Sequence, residues 1–359
     1  MKIGIVTQPL LNNYGGILQN FAMQYTLRKL GHEPITIDYI LTMSHGRFVK
    51  VWLRNLFYNL FHSEKRPIPR SRVLKTRNHH FAHFVKSHIA TTDIVDKYSS
   101  KLISKYELDA VVTGSDQVWR PCYNRRVLTN MFLDFVGKRT KKIAYAASFG
   151  VDYWEYKPRK ARKCGELARR LDAISVREGS GVSLCRNYLG VEAIEVLDPT
   201  LLLSAEVYKE VCSNVAPSGE RYVAAYILDA TPEKVALVEQ EARRRGVAAK
   251  IYGADKDAEL SIEEWLAMFR DAEYVITDSF HGCVFSTIFR REFAVIINSE
   301  RGASRFISLL GKFALTNRTI IDANQGSVPT EPIDWQEVET NLKKYQEHSM
   351  TFLTQALGR

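Results

Sequence analysis

The sequence is poor in cysteine and has no pair of cysteines at metal or redox spacing. Its five cysteines (Cys122, Cys164, Cys185, Cys212 and Cys283) are odd in number and scattered, without a C-x-x-C. That excludes a disulfide framework and a thiolate zinc site, and it predicts a reducing compartment. Long apolar runs are also missing. No stretch approaches the ~20 residues that cross a bilayer, and the opening MKIGIVTQPL enters a strand pattern without a signal-peptide layout. The expectation is a cytoplasmic protein, soluble or peripheral on the inner face of the membrane. Walker A, GxSxG and HExxH motifs are absent, which removes the common signatures of P-loop NTPases, α/β-hydrolases and zincins. The nine histidines show no metal-ligand spacing, so no metal site is predicted.

Acid is lacking in one place. Between residues 47 and 88 there are ten Lys/Arg and a single acid, Glu64, a local charge of +9, while the remaining 317 residues carry 40 basic and 39 acidic side chains. The +10 of the whole chain is therefore the property of one segment. Elsewhere the composition, with 45% hydrophobic and 25% charged residues among 359, is that of a globular protein and excludes intrinsic disorder. At ~150 residues per domain the length suggests two domains.

Alternating strand and helix patterns run along both halves. KIGIVT (2–7), a loop QPLLNNYGG, a helix over 17–30 and PITIDYI open a parallel α/β series. The basic segment interrupts it. LDAVVTG (108–114), KIAYAASFG (142–150), DAISVRE (172–178) and AIEVLDPT (193–200) continue it. After a break near 203–220, RYVAAYIL, AAKIYG, EYVITDS and EFAVII alternate with helical stretches, and 334–357 reads as one long helix with a capping-box start, Asp334 and Glu337. The predicted fold is α/β, two Rossmann-like lobes facing a cleft. The predicted divisions are an N-terminal lobe 1–202, a C-terminal lobe 203–333 and a C-terminal helix 334–359 that packs back on the first lobe.

Ligands of open α/β sheets sit beyond the carboxyl ends of strands, so polar motifs there are the candidates. Asn13, Tyr14, Gly15 and Gly16 follow the first strand, with glycines that admit a ligand to backbone amides. An ordinary βα loop is the alternative. Ser115, Asp116, Gln117 and Trp119 follow another strand, a mixture suited to sugar hydroxyls and a sugar ring face; a helix cap beside a core tryptophan is the alternative. Arg177, in SVRE, can grip a phosphate or carboxylate, or form a salt bridge with Glu178 or another neighbour. Ser279 and His281, in TDSFHG, stand between a strand and a helix, where a histidine can bind an anion or move a proton.

The ordered blocks NNYGGILQNFAMQYTLRKLGH, DAVVTGSDQVWRP, ISVREGSG, EVLDPTLLL and WLAMFRDAEYVITDSFHGCVFSTIF together resemble the polysaccharide pyruvyl transferase family. The resemblance implies a glycosyltransferase-B-type architecture, with the acceptor on the first lobe and the donor on the second. It implies transfer of the carbon skeleton of phosphoenolpyruvate to two hydroxyls of a surface-polysaccharide sugar as a cyclic ketal, with release of phosphate and no redox cofactor. Donor binding then falls to Arg177, Ser279, His281 and a C-terminal-lobe arginine, Arg305 or alternatively Arg301. His281 is the candidate acid or else a donor ligand only, and Asp116 the candidate group for the sugar hydroxyl. The acceptor would be a glycan linked to polyprenyl diphosphate or to a nucleotide. A nucleotide-sugar glycosyltransferase and a non-catalytic glycan-binding protein are the competing readings.

The basic segment contains FVKVWLRNLFYNLFH (48–62). As a helix it gathers Val49, Trp52, Leu53, Leu56, Phe57 and Leu60 on one face, with Lys50, Arg54, Asn55 and Asn59 on the other side. That composition suits an interfacial helix on an anionic membrane. A core helix followed by a solvated basic loop is the alternative. Nucleic acid is the weaker partner, because the rest of the chain is nearly neutral and carries no nucleic-acid-binding motif.

Overall fold

The apolar runs form two parallel sheets. The computed structural model describes residues 1–253, 260–297, 302–321 and 327–358. The first sheet contains β1 (Lys2–Val6), β2 (Glu33–Thr36), β3 (Ala110–Thr113), β4 (Lys141–Ala147), β5 (Ala173–Val176) and β6 (Ile194–Glu195), in the order β2-β1-β3-β4-β5-β6. The second contains β7 (Tyr222–Ile227), β8 (Ala248–Gly253), β9 (Tyr274–Thr277), β10 (Glu292–Ile296) and β11 (Thr319–Ile320), in the order β11-β10-β9-β7-β8. All pairings are parallel. Parallel strands are covered on both faces, which is why β3 and β7 are buried at every residue and read as continuous apolar runs. The result is an α/β protein of two Rossmann-like lobes, each built on a parallel sheet.

Each sheet has a point where successive connections leave in opposite directions. In the first, β1 lies between β2 and β3; in the second, β7 lies between β8 and β9. A crevice opens at the strand C-termini beside such a point. The loops after β1, β3 and β9 are therefore the ones the topology exposes to a ligand.

Three helices bear on the site. α1 (Tyr14–Lys29) begins three residues before the predicted position, because the Asn13 side chain accepts from the Gly16 amide at 3.1 Å and caps it. The glycines are thus the helix's first turn and not a loop. α2 (His45–Phe61) and α3 (His79–His88) occupy the basic segment between β2 and β3. The predicted strand 193–200 shrinks to β6, because Pro199 has no N–H to give and the Asp198 side chain accepts from the Thr200 amide at 3.0 Å to start a turn. The helix Trp335–Leu357 starts at Asp334, whose carboxylate accepts from the amides of Gln336 and Glu337. It lays Phe352, Leu353 and Leu357 on Ile3, Ile5, Ala110 and Ile143 of the first sheet.

The lobes share a core. A single apolar cluster runs from Leu10, Tyr14, Phe21, Phe81 and Phe84 of the first lobe into Trp265, Tyr226 and Phe285 of the second. At its centre the Tyr14 ring stacks on Trp265 with centroids 5.1 Å apart and 8° between planes, and its hydroxyl donates to the Leu260 carbonyl at 2.7 Å. The cleft is closed along this seam.

Candidate active site

Five strand ends converge on one buried cluster. Ser115 follows β3, Arg177 follows β5, Asp198 follows β6, His281 follows β9, and the first turn of α1 follows β1. Asp198 is the hub. Its Oδ2 accepts from Ser115 Oγ at 2.7 Å and from Arg177 Nη1 at 2.9 Å, and it lies 3.7 Å from His281 Nε2. Its Oδ1 accepts from the amide and hydroxyl of Thr200. Burial opposes ionisation of this carboxyl, but His281, Arg177 and Thr200 outweigh it and hold it well below the usual carboxylate range. Asp198 was not singled out in the sequence. Its signal was the DP step ending the EVLDPT block.

The Arg177 side chain is 2% exposed. Its guanidinium lies over the Phe280 ring at 4.5 Å, while Arg305 approaches the same ring at 5.7 Å. Arg305 is buried; burial, and then the neighbouring Arg177, lower the pKa of its guanidinium to about 10, against the raising effect of Glu178 and Asp116. Two buried cations thus face one aromatic ring. Glu178 turns one oxygen to Ser148 and to the amides of Phe149 and Gly150. Among the described residues, Arg177 Nε and Nη2, Glu178 Oε2 and His281 Nε2 are buried without a hydrogen-bond partner in the protein.

His281 stands at the start of the helix Phe280–Ile288, which Ser279 caps by accepting from the Gly282 amide at 3.4 Å. The imidazole rests on Gly15: a Cβ there would lie 2.0 Å from Nδ1. The next residue, Gly16, would place a Cβ 3.5 Å from Asp116 Oδ2. Gly15 therefore seats His281 at the N-terminus of α1, and Asp116 lies in ordinary contact distance of the next residue, Gly16. Asp116 adopts a left-handed backbone, φ +79°, and its Oδ1 accepts from the Gln117 amide at 2.8 Å. A non-glycine residue held there is strained, a state that persists at functional sites.

Other predicted site residues have structural work. Trp119 is a correction: fully buried, it stacks on Phe132 at 4.6 Å and donates its indole N–H to the Met131 carbonyl, so no ring face is left for a sugar. Tyr14 is likewise spent on the seam between lobes, and Asn13 on capping α1. Gln117 accepts from Arg120 at 3.1 Å, and Ser115 belongs to the Asp198 network. Arg301 lies outside the described residues. Across the cleft Gly302, at φ +95°, passes so close to the Gly150 carbonyl that a Cβ would fall 1.7 Å from its oxygen. Beside the cluster a cavity of about 690 Å³ opens between Ser180 and Glu195 of the first lobe, Ser308 and Lys312 of the second, and Tyr345 and His348 of the final helix.

The family model described as polysaccharide pyruvyl transferase matches residues 13–300, from the cap of α1 past His281 and through β10. The chain belongs to the polysaccharide pyruvyl transferase family. No curated protein sequence matches it significantly. Among solved structures it is similar to a UDP-GlcNAc 2-epimerase from Methanocaldococcus jannaschii, at 12% identity and TM-score 0.49 over 99% of each chain. It is also similar to the S. aureus MnaA-UDP co-structure, at 11% identity and TM-score 0.48, over 98% of this chain and 91% of that one. The spinosyn rhamnosyltransferase SpnG is a third, at 11% identity and TM-score 0.40, over 100% of this chain and 92% of that one. Family membership supports a transferase role in polysaccharide biosynthesis.

Proposed function

We propose that this pyruvyl transferase takes phosphoenolpyruvate as donor and builds a cyclic ketal on two hydroxyls of a sugar. The observation that carries the reading is the pair Arg177 and Arg305 converging on Phe280, next to His281, with Arg177 Nε and Nη2 and His281 Nε2 buried without a hydrogen-bond partner in the protein. A small trianion with a phosphate and a carboxylate matches that set, since buried cations bind compact anions strongly where water is excluded. Arg177 and Arg305 hold the two anionic ends, and His281 gives a proton to the methylene carbon. C2 becomes electrophilic and takes the first sugar hydroxyl. The bond from C2 to the phosphate oxygen breaks, and the second hydroxyl closes the ring. The two hydroxyls release two protons, which balances the one added to carbon and leaves one to depart with phosphate. Asp116, whose carboxylate lies near Gly16 in the first turn of α1, orients or deprotonates the sugar hydroxyl.

The acceptor in this reading is a glycan carried on a diphosphate, either polyprenyl-linked or nucleotide-linked. The neighbouring cavity has the size of a ligand site, and Lys312 and Lys344 each stand 5.7 Å from the Tyr345 ring beside it. The test follows phosphate release from phosphoenolpyruvate with candidate acceptors, alongside UDP release from sugar nucleotides. His281→Gln is expected to slow phosphate release ~100-fold or more, the scale of a lost general acid, with an unchanged melting temperature. Near-normal turnover by that variant removes the acid assignment. UDP release without phosphoenolpyruvate consumption replaces the reading with a glycosyltransferase.

A further inference from the structure

The basic segment folds in an order opposite to that of a core helix. α2 is amphipathic, yet the side it turns to the protein is a mixed one, Phe48, Val51, Asn55, Leu56, Tyr58 and Asn59, and not its most apolar stripe. Asn55, its one buried residue, donates to the Pro67 carbonyl at 2.9 Å, and Asn59 donates to the Arg66 carbonyl at 2.8 Å. The apolar side faces solvent: Val49, Trp52, Leu53, Phe57, Leu60 and Phe61 are 38–80% exposed, with Phe61 the most open at 80%. At 100° per residue Val49, Leu53, Phe57 and Leu60 fall within one narrow stripe, with Lys50 and Arg54 along its flank. Arg47, Lys50, Arg54, Lys65, Arg66 and Arg70 are all exposed. The alternative of a core helix is thereby overturned.

The basic segment is anchored beside the cleft at its C-terminal end. Arg77 donates to both oxygens of Asp38, at 2.8 and 3.1 Å, and to the Leu10 carbonyl. The Asn78 amide donates to Asn12 at 2.9 Å. Leu10 and Asn12 belong to the loop that leads into the first turn of α1, against which His281 rests. Beyond Asn78, α3 buries Phe81, Phe84 and Val85, so the segment is moored at its C-terminal end.

We infer that α2 and the basic loop behind it form a membrane-docking surface for an anionic lipid bilayer. An exposed Trp/Phe/Leu stripe edged by Lys and Arg inserts shallowly at the headgroup boundary, and the +9 segment supplies the attraction to acidic lipids. Charge complementarity selects this occupant over a second copy of the chain, whose own basic segment would repel it. Among the described residues no helix is long and apolar enough to cross a bilayer, so the protein lies on the surface. Docking sets the rim of the cleft against the membrane. That this delivers a lipid-carried acceptor rests on the proposed function; the docking itself does not.

The test is co-sedimentation of the full chain with phosphatidylcholine vesicles, with and without phosphatidylglycerol, at low and high salt. The wild type is expected to sediment with the anionic vesicles at low salt and to be released by high salt. F57S/L60S/F61S is expected to lose binding, and each reversal among Arg47→Glu, Lys50→Glu and Arg54→Glu to weaken it by about fivefold or more. Both sets change exposed residues only, and phosphate release with a water-soluble acceptor is expected to stay at the wild-type rate. A wild type that remains in solution at low salt overturns the proposal. So does stronger retention on duplex DNA or RNA than on vesicles, or a dimer that F57S/L60S/F61S dissociates while vesicles go unbound. Because vesicle binding is read without turnover, its failure is distinct from failure of the pyruvyl transfer reading.

Discussion

Gly15 is the residue whose replacement separates fold from chemistry most cleanly. Within a helix alanine is favoured over glycine by about 1 kcal/mol, but here its Cβ would meet the imidazole of His281 at 2.0 Å. Gly15→Ala is expected to keep the fold, seen by circular dichroism, and to lose about 100-fold or more in turnover as His281 is displaced. Asp198 supports a second expectation. Its carboxyl is held below its unfolded value, so it contributes stability above the unfolded pKa, and that contribution fades as pH falls through the folded value. Asp198→Asn is expected to cost about 3 kcal/mol at neutral pH, the scale of leaving one partner of a buried pair uncompensated. The difference from wild type should shrink in strong acid, as urea unfolding across pH will reveal.

At the scale of elements, two short stretches of chain decide the site: the turn from β1 into α1, and the turn from β9 into the helix Phe280–Ile288. Both were legible as polar motifs after strands. Their content was not, because side chains that suit a ligand also suit a cap or a core. Trp119 satisfies its indole within its own lobe, and Tyr14 satisfies its hydroxyl across the seam. Tyr14→Phe keeps the stacked ring and removes the bond to Leu260, so urea unfolding is expected to register a loss of about 1 kcal/mol. Tyr14→Ala also removes the ring, and a loss of about 3 kcal/mol or more is expected. An unfolding curve unchanged by Tyr14→Ala would show that the seam does not couple the lobes.

For the whole molecule, the final helix and the basic segment have opposite fates. Both are amphipathic, and both lie outside the sheets. The helix Trp335–Leu357 covers the first sheet with its apolar side, whereas α2 turns its apolar side outward. A chain ending at Asp334 uncovers Ile3, Ile5, Ala110 and Ile143 where Phe352, Leu353 and Leu357 now lie. It is expected to aggregate or to bind a hydrophobic dye strongly, whereas F57S/L60S/F61S is expected to be at least as soluble as the wild type. A soluble, dye-silent truncation would mean that the final helix is dispensable for the first lobe.

The sequence by itself determined the alternation of strands and helices, because period and apolar run length follow from backbone geometry. It placed Arg177 and His281 as candidates, because few residue types after a strand can hold a small polyanion, and Arg305, with Arg301 as the alternative, through the family resemblance. It also located the excess charge in one segment. Tertiary structure alone decided that Asp198 links Ser115, Arg177 and His281. Those four residues are far apart in the chain, and their distances depend on two sheets meeting. It alone decided that Gly15 of α1 is the seat of His281, since a glycine's use is defined by what approaches it. And it alone decided which side of α2 faces water, because an amphipathic pattern fixes that a helix has two faces but not which one the rest of the protein will cover.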